Sequence, residues 1–275
     1  MTGSLVVCPT PIGNLEDITL RVLRALREAD VVACEDTRHT RVLLDRHGIS
    51  ARTVSYHEHN EVARAAELVG RMQAGETVAL VSDAGMPLVN DPGFLLVGAC
   101  VAAGVGVEVL PGPSAALTAL VVSGLPATTW RFVGFLPRKR GELETLFRGA
   151  RETLVAFESP RRVGASLAAL AAVDPDRVVA VCRELTKLHE EVRRGSAAEL
   201  AEHYREHPAR GEVVLVCGAA APGTAWREEA LTALRELVEA GAKPRPAAAA
   251  IGRLTGLAAN ELYRELTGRG SAARQ

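Results

Sequence analysis

Residues 82–93, SDAGMPLVNDPG, bring two aspartates together with two glycines and two prolines directly after an apolar run, TVALV. Glycine, proline and aspartate at this density end a strand and delay the start of the next helix. Compact domains seldom keep such a loop at a strand end without a use for it. The segment is therefore typical of a loop that holds a ligand.

Four more polar loops follow apolar runs in the first half of the chain: PTPIGNL, EDTRHT, HEHNE and PGPSA. Open α/β sheets bind ligands at the carboxyl ends of their strands, so loops in this position converge on one edge. Each loop taken singly could be a simple connection. Five of them on one edge favour a small-molecule site.

Absent motifs narrow the choice of ligand. No GxGxxG follows the first apolar run, and no GxxxxGK[ST] occurs, which argues against a conventional dinucleotide site and excludes a P-loop. His57 and His59 have the spacing of metal ligands, but no third ligand accompanies them, and a catalytic zinc site needs three. We expect no metal, and we interpret these histidines as hydrogen-bonding or RNA-contacting groups.

The bulk composition indicates a globular protein of the cytoplasm. The 275 residues are 48% hydrophobic and 24% charged with a net charge of −1, so any nucleic-acid signal must be local. No apolar run approaches membrane-spanning length, and the amino terminus enters a strand without a signal-peptide pattern. The five scattered cysteines lack CxxC spacing and are expected to be reduced core residues.

The pattern of elements predicts two α/β domains and a helical tail. Residues 1–124 alternate apolar runs with helical patterns, which indicates a parallel sheet covered on both faces. Residues 125–220 contain five more strand candidates, and RELTKLHEEVRRG is too short for a parallel crossover, so this sheet should be mixed. In this domain, Ser159 and Pro160 resemble the cap and first residue of a helix.

The tail, residues 221–275, begins with a linker-like GAAAPGTA that overlaps the domain boundary. Helices are expected near residues 227–239, 246–254 and 258–266, and the turn LTGLA suggests a helix-turn-helix. Residues 243–274 carry six basic and two acidic residues, a local excess consistent with an RNA-facing module.

The motifs PTPIGNLEDITLR, ACEDTRHTRVLL, HEHNE, LVSDAGMPLVNDPG, LPGPSAALTAL, GFLPRK, FESPRR, CRELTKLHEE and GEVVLV occur in this order. Together they resemble the ribosomal small-subunit RNA 2′-O-methyltransferase I family of the tetrapyrrole-methylase superfamily. The resemblance covers residues 5–216, and the tail resembles the family's C-terminal region. It implies a two-domain tetrapyrrole-methylase-like α/β fold, a homodimer, and methylation of a cytidine ribose in the decoding region of 16S rRNA, within the small ribosomal subunit.

The resemblance also implies that S-adenosylmethionine (SAM) lies in the cleft between the domains. The matching positions are Ile12, Gly13, Asp83, Ala84, Gly85, Met86, Pro87, Ser114, Ala115, Phe157, Glu184 and Glu212. In the 82–93 loop, Gly85 would allow close approach and Asp83 would pair with a cationic or amide group. Met86 stands where the family commonly has threonine. Backbone contacts survive this change, whereas a contact from the hydroxyl does not.

Methyl transfer to a ribose hydroxyl needs in-line alignment, and a general base helps because the hydroxyl is a poor nucleophile. Polar residues on the strand-end loops are the candidates: Asp36, His57, Glu158, Glu184 and Lys187. Lys187 is one of only three lysines among 32 basic residues, and an amine can lose a proton where a guanidinium cannot. The competing interpretation is a surface or phosphate-contacting lysine.

Compact basic loops provide candidate RNA contacts. These are Arg38, His39 and Arg41, with His57 nearby in sequence, then Arg138, Lys139 and Arg140, and finally Arg161 and Arg162. Arginine forks suit phosphate oxygens, although arginine is also common at solvated helix starts. Aromatic residues are only 4% of the chain, which favours reading of shape and phosphates over base stacking.

Two alternatives remain open at this point. A methylase of a tetrapyrrole or another small molecule would share the fold, but it would need neither the basic loops nor the tail. A non-catalytic ribosome-binding protein is the other alternative, suggested only by Met86.

Overall fold

A computed structural model describes residues 3–220, 225–255 and 257–267 of the chain. Its first sheet has five parallel strands in the order β3-β2-β4-β1-β5, which confirms the predicted parallel domain. The strands are β1 (Ser4–Cys8), β2 (Val31–Cys34), β3 (Thr53–Ser55), β4 (Val78–Val81) and β5 (Gly106–Val109). The helices are α1 (Leu20–Glu28), α2 (Thr37–Arg46), α3 (Glu61–Gln73), α4 (Phe94–Ala102) and α5 (Ala115–Ser123).

The apolar runs form the inner strands because both faces of this sheet are covered. Residues of β2 and β4 are fully buried, and side chains of successive residues contribute to separate cores on the two faces. Strands β1 and β4 are neighbours, so the PTPIGNL and SDAGMPLVNDPG loops emerge side by side. This adjacency brings the two longest candidate loops together.

The second sheet is mixed, as predicted. Its order is β6-β7-β10-β8-β9, in which only the β6–β7 pair is parallel. The strands are β6 (Trp130–Phe135), β7 (Thr153–Glu158), β8 (Val178–Arg183), β9 (Glu191–Ser196) and β10 (Val213–Cys217). The helices are α6 (Arg140–Arg148), α7 (Val163–Val173) and α8 (Ala197–Glu206).

One local prediction in this domain is wrong. Helix α7 begins at Val163 rather than at Pro160, and its cap position is Arg162 without a side-chain cap hydrogen bond. The Arg162 N–H donates to the Ser159 carbonyl at 2.8 Å, which closes a separate turn before the helix. The Ser159 N–H donates to the Glu158 carboxylate at 2.7 Å, so this segment is organised around Glu158.

Helix α5 joins the two domains. It belongs to the first domain in sequence, but Ala116, Ala119 and Leu120 pack in one apolar cluster with residues of the second sheet, including Val155 and Val214. The Arg194 guanidinium on β9 donates to the carbonyls of Val122 and Ser123 at the end of the helix, where a cation is favourable. The floor of the cleft between the domains is therefore a packed interface.

The tail contains α9 (Ala225–Glu239), α10 (Pro244–Thr255) and α11 (Ala259–Leu266). These helices share their own apolar core, which includes Leu234, Ile251 and Leu262. Arg151 of the second domain donates to the Leu254 carbonyl at 3.1 Å. Part of the predicted linker (221–224), the turn residue Gly256, and the basic residues Arg269 and Arg274 lie outside the described residues. None of the described helices is long and apolar enough to cross a membrane.

Candidate active site between the domains

A cavity of about 410 Å³ lies between the two domains, a volume suited to a small molecule. Its walls combine the loops after β1 and β4, the start of α5, the ends of β6 and β7, and the start of β10. Six of the residues that the resemblance assigns to the cofactor line this cavity: Ile12, Ala84, Gly85, Ala115, Phe157 and Glu212. Sequence motifs more than a hundred residues apart therefore meet around one volume.

The β4 loop is fixed to the β1 loop through Gly85. Thr10 and Gly85 exchange two backbone hydrogen bonds of 2.9 and 3.0 Å, and the Ser82 hydroxyl donates to the Gly85 carbonyl at 3.2 Å. Gly85 has φ of 80°, a conformation that favours glycine. Because its N–H and C=O are already bonded, backbone contacts to a ligand must come from its neighbours in the loop.

The other predicted cofactor residues of the first domain lie beside the cavity rather than on its lining. Asp83 Oδ1 accepts from the Asp36 N–H at 3.1 Å and borders a recess of about 100 Å³. Ser114 caps α5 and borders a neighbouring recess of about 400 Å³, which shares Ile12 with the cavity. Met86 is half-buried and Pro87 is buried.

Gly13 lies where the second domain touches the first. A side chain on Gly13 would come within 2.5 Å of Lys187 Cγ and 3.1 Å of the Leu185 carbonyl oxygen. Next to it, the Asn14 N–H donates to Thr186 Oγ1 at 3.1 Å. Glycine is therefore required at this position by the contact between domains, a role that sequence reasoning did not assign.

Lys187 is held between two carboxylates. Its ammonium lies 3.0 Å from Glu184 Oε1 and 2.9 Å from Glu212 Oε2. Burial lowers the pKa of Lys187, but the hydrogen bonds to Glu212 and Glu184 outweigh this effect and raise it above its ordinary value. The geometry therefore favours an ion-pair role for Lys187 at neutral pH and argues against a free amine base.

Glu184 organises the start of β10. Its Oε1 accepts from the Glu212 N–H at 2.9 Å, and this bond, with that from Lys187, lowers the pKa of Glu184. Its carboxyl group lies over Gly211, which has φ of 74°. The arrangement is structural support for the Glu212 wall of the cavity.

The remaining base candidates are also engaged elsewhere. Asp36 caps α2, and its bonds to the Arg38 side chain and backbone lower its pKa to about 2. Both carboxylate oxygens of Glu158 accept hydrogen bonds in a buried position. His57 has Nε2 3.2 Å from Asn60 Nδ2. The described residues contain no group of three or more His, Cys, Asp or Glu that could hold a metal ion.

Asp91 is a titratable residue of the cavity that sequence reasoning missed. Burial is the main reason why its pKa rises to about 6, and the charges of Glu35 and Asp83 add to the effect. A carboxyl group with this pKa ionises near neutral pH and suits proton transfer. The available signal was its place in the NDPG half of the 82–93 loop.

The predicted RNA-binding residues fall into two groups. Most have exposed side chains, and several pair with nearby carboxylates: Arg38 with Asp36, Lys139 with Glu142, and Arg140 with Glu144. Arg41, Arg138 and Arg161 are exposed, and His39 borders the Asp83 recess. Arg162 is different, because its guanidinium is tied to backbone carbonyls and to Glu158.

Replacing Gly211 by Ala is expected to destabilise the protein by about 2–4 kcal/mol, because backbone strain is added to overpacking. A Cβ at this position would lie 2.3 Å from Glu184 Cδ. Gly104→Ala is the matched control: Gly104 has φ of 68°, but a Cβ there would meet no atom of the described residues within 4 Å beyond its chain neighbours, so the change should cost only the strain, about 1 kcal/mol. Urea unfolding measures both, and equal losses would contradict the packing role of Glu184.

Comparisons with known proteins agree with this architecture. A family model described as Tetrapyrrole (Corrin/Porphyrin) Methylases matches residues 4–201. A relative from Mesorhizobium japonicum, named Ribosomal RNA small subunit methyltransferase I, is 46% identical over 271 residues, covering 96% of this chain and 91% of that protein. A relative of the same name from Streptococcus pyogenes serotype M1 is 40% identical over 274 residues, covering 96% and 94%.

Solved structures share the fold. Uroporphyrin-III-C-methyltransferase from Thermus thermophilus has a TM-score of 0.56 and 26% identity, covering 78% of this chain and 94% of that one. The relatives from Mesorhizobium and Streptococcus match nearly the whole chain. The chain therefore belongs to the ribosomal RNA small subunit methyltransferase I family of the tetrapyrrole methylases, and it is a SAM-dependent methyltransferase.

Proposed function

We propose that this enzyme transfers the methyl group of SAM to the ribose 2′-oxygen of a cytidine in the decoding region of 16S rRNA. The names of its relatives specify small-subunit ribosomal RNA, and the ordered motifs support the ribose as the acceptor. The observation that carries the proposal is the cavity between the domains, whose lining unites the motif residues of both. Exposed basic side chains on α2 and before α6 supply charge for the RNA.

The lining of the cavity fits SAM. The rings of Phe135 and Phe157 lie 5.7 Å apart, and with Ile12 they offer an apolar surface for the adenosine. The Glu212 carboxyl group lines the same volume and suits a ligand that carries sulfonium and ammonium charges. When bound, the cofactor supplies an electrophilic methyl group.

The chain's own contribution is alignment and removal of a proton. The walls of both domains hold the reacting groups in one orientation, which can supply much of the acceleration. Asp91, with its pKa of about 6, is the residue that we assign to accept the proton of the 2′-hydroxyl. Lys187 stays protonated and fixes Glu184 and Glu212, so its effect on the reaction is indirect.

Removing residues 227–275 is expected to weaken binding to the small subunit while SAM affinity stays within twofold of the full chain. The described tail carries Arg235, Lys243, Arg253 and Arg264 and packs on its own core. Each phosphate contact that is lost should reduce the slope of log K against log salt concentration by about 0.7–0.9. Filter binding over a salt series measures this, and an unchanged RNA affinity would disprove an RNA-binding tail.

The proposed function is tested with methyl-labelled SAM and small subunits from cells that lack the modification, with free 16S rRNA in parallel. Label in an alkali-resistant dinucleotide is expected, because a methylated 2′-oxygen blocks alkaline cleavage; the better acceptor identifies the substrate. Intact SAM binding without transfer to RNA would instead favour a methylase of a tetrapyrrole or another small molecule. Absence of SAM binding would favour a non-catalytic protein and implicate Met86.

We further propose that the enzyme is a homodimer and acts in the cytoplasm. The superfamily resemblance supports the dimer. Sedimentation equilibrium should give twice the chain mass of 29.1 kDa, whereas a single chain mass at micromolar concentration would exclude it.

A further inference from the structure

The side chain of Arg162 connects three segments of the second domain. Nη2 donates to the Pro137 carbonyl at 2.5 Å, and Nη1 donates to the Leu136 carbonyl at 3.3 Å. The same Nη1 lies 3.4 Å from Glu158 Oε1. Only 30% of this side chain is exposed, so the guanidinium is committed to these contacts.

The Glu158 carboxylate, which pairs with Arg162, also accepts hydrogen bonds from two other groups. Its side chain is fully buried, Oε1 accepts from the Ser159 N–H at 2.7 Å, and Oε2 accepts from the Ser166 hydroxyl at 2.5 Å. A buried carboxylate persists when it is paired and hydrogen-bonded, and here Arg162 supplies the cation. Glu158 also lines the cavity, together with Ser159.

The segment that Arg162 holds leads directly into the basic loop. Leu136 and Pro137 precede Arg138, Lys139 and Arg140, and the Leu136 N–H donates to the Phe157 carbonyl at 3.2 Å. The guanidinium fork therefore fixes the start of this loop to the wall of the cavity. A lysine could not replace it, because one ammonium does not reproduce a planar fork that reaches two carbonyls and a carboxylate.

Arg161 provides a contrast within the same motif. Its side chain is exposed and forms no hydrogen bond or ion pair with any residue in the part of the chain that the structure describes. Two adjacent arginines in FESPRR thus have different surroundings, although their sequence context is nearly identical.

We infer that Arg162 is a positioning residue, which fixes the Arg138–Lys139–Arg140 loop relative to the cavity and does not itself bind RNA phosphates. The inference rests on the proposed function, because the loop's role is contact with the rRNA. Arg161 remains available for direct contact. The pair of arginines therefore divides into one that orients the RNA-binding loop and one that can bind.

Hydrogen exchange tests the structural half without RNA. In Arg162→Gln, the Leu136 amide should exchange at least tenfold faster. Arg162→Lys should behave similarly, because a positive charge alone does not replace the hydrogen bonds of the guanidinium group. Arg161→Gln should leave the exchange rate of this amide unchanged.

If Arg162→Gln unfolds the protein by leaving Glu158 unpaired, the double variant Glu158→Gln/Arg162→Gln removes the buried charge and is measured in its place. Unchanged exchange at Leu136, or full rescue by lysine, would overturn the inference.

RNA binding tests the functional half by a double-mutant cycle. Arg162→Gln alone should weaken binding about tenfold, but it should have no additional effect once Arg138, Lys139 and Arg140 have all been replaced by Ala. Arg161→Gln should retain its full effect in that background. If Arg162→Gln weakens binding by the same factor in the triple-alanine background, that result would indicate direct contact of Arg162 with RNA and overturn the inference. A wild-type protein that binds no rRNA would refute the proposed function, while hydrogen exchange would still decide whether Arg162 orders the loop.

Discussion

Ala84→Trp is expected to abolish SAM binding while the protein stays folded. Ala84 is exposed on the β4 loop and lines the cavity between the domains, so an indole at this position occupies ligand space without disturbing the core. Surface changes of this kind usually alter stability by less than about 0.5 kcal/mol. We expect an affinity loss of at least 100-fold, about 2.8 kcal/mol, by isothermal titration calorimetry.

Ala168→Trp is the matched control for this variant. Ala168 is also an exposed alanine that lines a groove, in this case the space of about 620 Å³ between α7 and α8. Its replacement should leave SAM affinity within twofold of the wild-type value. Near-normal affinity in Ala84→Trp, or an equal loss in both variants, would contradict the assignment of the cavity.

Asp91→Asn is expected to lower kcat about 100-fold with little change in SAM affinity, since a positioned general base contributes about 10²–10⁴. The wild-type rate should rise with pH as the Asp91 carboxyl ionises near its pKa of about 6, and this limb should vanish in the variant. Asp45→Asn, an exposed change on α2 outside the cavity, is the control. A normal rate and pH profile in Asp91→Asn would exclude Asp91 as the base.

The same variant should be more stable than the wild type at pH 7. Burial raises the pKa of Asp91 in the folded state to about 6, above its unfolded value of about 4, so the folded protein binds the extra proton between these pH values. That contribution to stability is fully present below about pH 4 and is lost as pH rises through 6. Asparagine removes the free-energy cost of holding an ionised carboxylate at this partly buried position, about 1 kcal/mol after allowing for solvent screening. Urea unfolding at pH 4 and 7 measures the difference, which should appear only at pH 7.

The fold was predictable because its elements have strong local signals. The alternation of apolar runs and helical patterns over residues 1–124 predicted the parallel sheet, and the short β8–β9 connection predicted the antiparallel pair. The start of α7 was not predictable, because serine and proline before a helix are equally typical of a cap and of a turn. The Glu158 carboxylate decided the outcome by taking the Ser159 N–H, and that contact depends on burial that sequence alone does not reveal.

The site was predictable in its location and less so in its chemistry. The resemblance identified six residues of the cavity lining. Four of them belong to motifs that follow strands of the first sheet, where strand ends converge: Ile12, Ala84, Gly85 and Ala115. Lys187 drew attention as a rare lysine, but its protonation is set by Glu212, which is 25 residues away in sequence. Asp91 was missed because its raised pKa comes from burial beside Glu35 and Asp83, an arrangement formed only by the fold.

The most direct test of the account is a single-turnover transfer from enzyme loaded with methyl-labelled SAM to unmodified small subunits. The 16S rRNA is then digested to nucleosides and separated by liquid chromatography with mass spectrometry. We expect label in 2′-O-methylcytidine for the wild type and none above background for Ala84→Trp. Label in a base-methylated nucleoside, or equal transfer by Ala84→Trp, would contradict methylation of the ribose from the cavity between the domains.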